Sequence, residues 1–119
     1  MPKTDQQARE WTGRDLIDMG GDKIGTVDDL RYDEAMATPK WLLVKTGLFG
    51  TRKMFVPASQ VRSSGDRLVV SFTKDRVKSA PRIEDEEVLS QAEERELCSY
   101  YGLDYAPRQA EYIVARTGG

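Results

Sequence analysis

The chain contains no histidine and a single cysteine among its 119 residues. The lack of histidine removes the commonest general base and metal ligand. Zinc sites need clustered Cys and His, so none is expected. Cys98 alone cannot form an intrachain disulfide framework, and its isolation suits a reducing compartment. Long apolar runs are missing as well: none approaches the ~20 residues of a membrane span. The opening "MPKTDQQAREW" is polar and has no signal-peptide apolar region. These absences point to a soluble cytoplasmic domain.

Two weak motifs fail on inspection. "GLFGTRK" lacks the spacing of a phosphate loop, and no helix is expected after it. Asp18, Asp22 and Asp29 fall at positions 1, 5 and 12 of a notional calcium loop. Gly20 and Lys23 then occupy positions 3 and 6, where a ligand and the sharp-turn glycine belong. Cys98 has no His partner and is surrounded by carboxylates, which disfavours a thiolate. The expectation is a non-enzyme with no cofactor, no metal and no catalytic residue.

What is present is a divided charge. The formal net charge is −2, yet residues 40–78 carry nine Lys/Arg against Asp66 and Asp75. Residues 1–39 carry five basic and nine acidic residues, and residues 79–119 carry four and nine. A basic middle therefore lies between acidic flanks. Arg52, Lys53, Arg62 and Arg67 are the candidate anion contacts of that middle. The blander reading is that the flanks fold over it and partly neutralise it, and we favour that reading.

The middle also holds the β-forming stretches. "GRDLIDM", "GDKIGTVDDLRYD", "WLLVKTG", "MFV" and "LVVSF" read as short strands at close spacing, without long helices between them. "SSGDR" reads as a hairpin turn. Such a series argues a small antiparallel barrel or a two-sheet sandwich. Its expected core is Leu16, Ile24, Val27, Leu30, Leu42, Val44, Phe55, Val56, Leu68, Val70 and Phe72.

The second strand breaks its own alternation. Ile24 and Leu30 fall on one parity and Val27 on the other, although one buried face requires one parity. A bulge associated with Gly25 shifts the parity and coils the strand. A plain turn at Gly25, splitting the segment in two, is the alternative. In "TGLFGT", Gly47 or Gly50 is expected at positive φ in a tight reversal. Leu48 and Phe49 between them form either a binding edge or a plug at one end of the barrel.

Past residue 72 the pattern becomes helical. "TKDRVKSAP" fits a single turn stopped at Pro81. "SQAEERELCSYYG" has Ser90 and Glu93 at capping-box spacing and Gly102 as a left-handed stop, which predicts a helix over 91–101. So short a helix must dock on something. Leu97, Tyr100 and Tyr101 are its candidate docking or interface residues. The contact forms within one chain or across two, and exchange across two would give a homodimer.

Taken in order, "GDKIGTVDDLRYD", "PKWLLVKTGLFGTRKMFVPASQV", "DRVKSAP" and "AEERELCSYYGLDY" resemble a bacterial PRC-barrel protein over about residues 11–105. The likeness is to a subgroup with T-G-x-F-G-T and Y-Y-G-L motifs. It implies a mainly β fold: a small, strongly bent antiparallel PRC-type β-barrel with a short C-terminal helix. The expected organisation is a flexible lead-in at 1–12, the barrel at 13–81, a docking helical segment at 82–103 and a partly disordered tail at 104–119. The resemblance also implies a non-enzymatic adaptor or interaction module that self-associates as a homodimer, with a stress- or assembly-related role. An RNA- or ribosome-associated factor using the basic middle is the alternative.

Overall fold

A computed structural model of the chain describes residues 10–33, 38–47, 52–83 and 88–105. Six strands form one sheet: β1 (Asp15–Asp18), β2 (Lys23–Asp33), β3 (Thr38–Thr46), β4 (Arg52–Pro57), β5 (Val61–Ser64) and β6 (Arg67–Val70). A 3-10 turn at Ala58–Gln60 links β4 to β5. Two helices follow, α1 (Lys74–Lys78) and α2 (Gln91–Tyr101). The strand order is β4-β3-β2-β1-β6-β5.

This order corrects the expected antiparallel barrel in two respects. β1 and β6 run parallel, with Leu16 opposite Leu68 and Asp18 opposite Val70. Parallel neighbours need a long connection, and the excursion through β2, β3, β4 and β5 supplies it. The second correction concerns closure. Among the described residues β4 and β5 do not pair, so the sheet stays open.

The parity conflict in β2 is resolved by bulges. Leu16 pairs with Gly25 and Ile17 with Lys23, which leaves Ile24 as an extra residue. Val27 pairs with Val44 and Asp29 with Leu43, which leaves Asp28 as another. Each extra residue turns the strand by one position, so Ile24, Val27 and Leu30 are all buried at a spacing of three. The chain remains one strand at Gly25, and the split-strand alternative is not what forms. Gly25 has its own constraint: a Cβ there would lie 2.0 Å from the Lys45 carbonyl oxygen. Glycine is needed because β3 crosses too close for any side chain.

The ten expected core residues from Leu16 to Val70 are buried, whereas Phe72 is only half-buried against the core. Strand position identified one face of the sheet and missed most of the other. Trp41 and Leu43 share with Phe55 the second face of β3–β4, which is buried as well. Trp11, placed in the lead-in by sequence, is also a core residue. Its segment is tied to β2 by Gly13 N–H donating to the Val27 carbonyl at 2.8 Å and Val27 N–H donating to that of Arg14 at 3.0 Å.

Both helices end as their sequences dictate. Thr73 caps α1 by accepting from the Arg76 N–H. In α2 the Ser90–Glu93 capping box is complete, and Gly102 adopts φ 74° beyond Tyr101. Gly47 sits at φ 90°, as expected for a reversal, whereas Gly50 lies outside the described residues. Replacing Gly25 with alanine is expected to cost about 3 kcal/mol in urea unfolding, because the β3 backbone must move. Gly47→Ala, which meets only distant Arg52 atoms, should cost about 1 kcal/mol.

Candidate functional site

The two ends of the sheet differ in kind. β4 ends the order on one side, and Met54, Phe55, Val56 and Pro57 are all buried, so both of its faces are covered. β5 ends the order on the other, and Arg62, Ser63 and Ser64 are all exposed. Each end strand is bonded to one neighbour, but the side chains are covered on both faces at β4 and exposed at β5.

The seal is helix α2. Its buried residues are Glu94, Leu97, Cys98 and Tyr101, one stripe of the helix. Tyr101 packs at 6.4 Å from the Trp41 ring and 4.8 Å from the Phe72 ring. Its hydroxyl donates to the Phe55 carbonyl oxygen at 2.7 Å. Burial pushes the Tyr101 phenol far above its ordinary value, so it remains a donor at any physiological pH.

Glu94 is the unusual member of the stripe, a carboxylate only 4% exposed. Its Oε2 accepts from Trp41 Nε1 at 2.9 Å and lies 3.0 Å from Lys40 Nζ. Consecutive residues of a regular strand point to opposite faces, so Lys40 and Trp41 should not meet the same atom. A third irregularity allows it: Arg31 pairs with Trp41 but Tyr32 with Pro39, leaving Lys40 as the extra residue. The bulge turns Lys40 towards the helix. A buried carboxylate is tolerated here because it is both paired and hydrogen-bonded.

A second contact joins α2 to α1. Arg76 donates from Nη2 to the Tyr100 carbonyl at 2.8 Å, and the Tyr100 hydroxyl donates to the Arg76 carbonyl at 2.5 Å. The Arg76 guanidinium also lies 5.3 Å from both the Phe72 and Tyr100 ring centres. Leu97 and Tyr101 are thus buried within their own chain, while Tyr100 stays half-buried at its edge. Cys98 is buried too, and burial, followed by the Glu94 charge, pushes its thiol up. Its thiolate is disfavoured, as the sequence suggested.

The candidate anion contacts are separated by the strand order. Arg52 and Lys53 lie on β4, whereas Arg62 and Arg67 lie on β5 and β6 at the other end. Lys53 faces Lys45 across β3–β4, and Asp28 sits 3.3 Å from the first ammonium and 3.1 Å from the second. The β2 bulge therefore aims one carboxylate between two like charges that would otherwise repel. Hydrogen bonding from Lys45, then from Lys53, holds the Asp28 carboxyl below its usual range. Leu48 and Phe49 lie outside the described residues.

Asp18, considered for calcium, has a different role. Its Oδ1 accepts from the Gly20 and Asp22 N–H groups at 3.0 and 2.9 Å, and its Oδ2 from Lys74 N–H at 3.0 Å. One side chain thereby closes the β1–β2 turn and ties it to the start of α1. The neighbouring cleft of ≈ 370 Å³ is lined by Asp18, Met19, Phe72, Thr73 and Lys74 among others. Among the described residues no group of three His, Cys, Asp or Glu side chains has the arrangement of a metal site.

The sequence profile of the PRC-barrel domain matches residues 4–77, more than half of the chain. No curated protein matches it. Among the described residues no helix is long and apolar enough to cross a membrane.

Two outcomes follow from these contacts. Tyr101→Phe leaves the Phe55 carbonyl without its donor, and urea unfolding should show a loss of about 1–2 kcal/mol. The hydrogen bonds to Asp18, first those from Asp22 and Lys74, depress its folded pKa. Its contribution is therefore present above the unfolded value of about 3.9 and lost as pH falls through the lower folded value. Asp18→Ala should melt at lower temperature than the parent at pH 7, and the gap should close as the pH falls below the ordinary carboxylate range.

Proposed function

The chain belongs to the PRC-barrel domain family, and from that premise we propose that it is a non-enzymatic protein–protein interaction module that self-associates. Domains of this family often act as interaction modules. The observation that carries the reading is the open end of the sheet. β5 is bonded to β6 on one side, and among the described residues no strand pairs with its other side. The exposed stretch from Arg62 to Ser64 gives an incoming strand a place to pair, which is a recurrent mode of protein recognition.

The edge also favours a second copy. Two β5 strands related by a two-fold axis between Arg62 and Ser63 would set Arg62 opposite Ser63, so the arginines do not face each other. The interface is short, and the association it supports is weak and concentration-dependent. RNA binding has less behind it, since the basic residues are split between the sheet's ends and Lys53 is engaged by Asp28.

Natural proteins block strand edges with lysine, and the same device tests this reading. Light scattering of the wild-type chain should show mass rising with concentration. Ser63→Lys/Ser64→Lys should abolish that rise while shifting the melting temperature by no more than a few degrees. A wild-type chain that stays monomeric and captures no partner contradicts the proposal.

A further inference from the structure

The outer face of β1, β6 and β5 carries side chains that the core does not use. Ile17 stands opposite Val69 in the parallel pair, Arg62 stands opposite Val69 on β5, and Lys23 stands opposite Ile17 on β2. Partners across a ladder share a face, so Lys23, Ile17, Val69 and Arg62 form one row across four strands. The alternate residues Leu16, Leu68 and Val70 are fully buried on the inner side. Ile17 and Val69 are half-buried, yet neither belongs to the core cluster or to the side chains packed against it. Their apolar surface faces outwards.

Two arginines frame this apolar pair. Arg67 lies two residues before Val69, on the same side of β6, and Arg62 is its diagonal neighbour on β5. Diagonal neighbours are about 7–8 Å apart, within reach of long side chains, so one carboxylate can meet both guanidiniums. Both arginines are exposed, and among the described residues neither has a carboxylate partner. Elsewhere the sheet offsets its own cationic pair, since Lys45 and Lys53 share Asp28. Here the nearest acid on the same face, Asp15, is taken by Lys23 at 3.3 Å. The carboxylate that this pair lacks is left for a partner to supply.

We propose that this face docks an acidic segment of another protein, its carboxylates held by Arg62 and Arg67 and an aliphatic side chain beside them laid on Val69 and Ile17. Guanidinium matches carboxylate bidentately, which gives direction, and the neighbouring apolar pair gives area to bury. The surface suits a protein better than a nucleic acid. Two arginines neutralise few phosphates, and the face offers aliphatic side chains where unpaired bases need aromatic ones to stack on. The inference rests on the reading of the chain as an interaction module, but not on its self-association: it uses side chains on the sheet face, not the β5 edge.

A fluorescein-labelled hexapeptide of alternating Glu and Leu, titrated with the full chain, tests it. Anisotropy should saturate, and the same peptide with Gln for Glu should bind about ten-fold more weakly. Arg62→Glu/Arg67→Glu changes two exposed residues, so it should keep the melting temperature while weakening binding by about ten-fold or more. Ile17→Thr/Val69→Thr keeps the β-branched shape and should weaken binding by about three-fold or more. No saturation, or binding unchanged in either variant, overturns the proposal. A labelled ten-nucleotide oligouridylate that binds tighter than the peptide, through the same arginines, overturns it too. Light scattering of the same samples separates the two readings. Peptide binding by a chain that stays monomeric supports the face whatever happens at the edge, and self-association without peptide binding counts against the face alone.

Discussion

The close crossing of β2 and β3 at Gly25 governs the rest of the structure. With no side chain at that position, β3 can lie against β2 while β2 twists through the bulged residues Ile24 and Asp28. Those two irregularities bring Ile24, Val27 and Leu30 to one core despite their mixed parity. They also turn Asp28 towards Lys45 and Lys53, where one carboxylate offsets a cross-strand repulsion. A third bulge, at Lys40, turns an ammonium to the opposite use of meeting the helix. Bulges in this protein serve as aiming devices as well as sources of curvature.

The energetic division across α2 follows from its surroundings. Burying Leu97 and Tyr101 contributes about 1.5–3 kcal/mol each, more than an ion pair with a partly exposed lysine. Glu94 therefore adds little net stability to the seal. Its value is specificity: a carboxylate at that place accepts only an arrangement with Lys40 and Trp41 beside it. The Arg76–Tyr100 exchange of hydrogen bonds then fixes the helix's far end to α1. Hydrophobic burial holds the helix, and the polar pairs set where it sits.

Much of this was legible in the sequence, and the failures have physical causes. The capping box and Gly102 placed α2 to the residue, because caps are local chemistry. The core of one sheet face followed from alternation and apolar character. Trp41 was absent from the expected core because two of its partners, Glu94 and Tyr101, come from a helix more than fifty residues away. Trp11 escaped notice because two backbone hydrogen bonds to β2, and no sequence motif, bring its segment onto the core. The parallel β1–β6 pair and the open sheet are long-range outcomes, which strand patterns alone do not encode. The RNA alternative lost ground for a similar reason: residues adjacent in sequence were divided between the two ends of the sheet.

The central claim is the asymmetry of the sheet, with both faces covered at β4 and the side chains of β5 exposed from Arg62 to Ser64. Native-state hydrogen exchange of the full chain at low concentration reads it directly, strand by strand. The account predicts the slowest exchange in β2, β3 and β4, with β5 exchanging far faster and gaining protection as concentration rises. Slow, concentration-independent exchange in β5, matching that of β4, would contradict an open end and the interaction built on it.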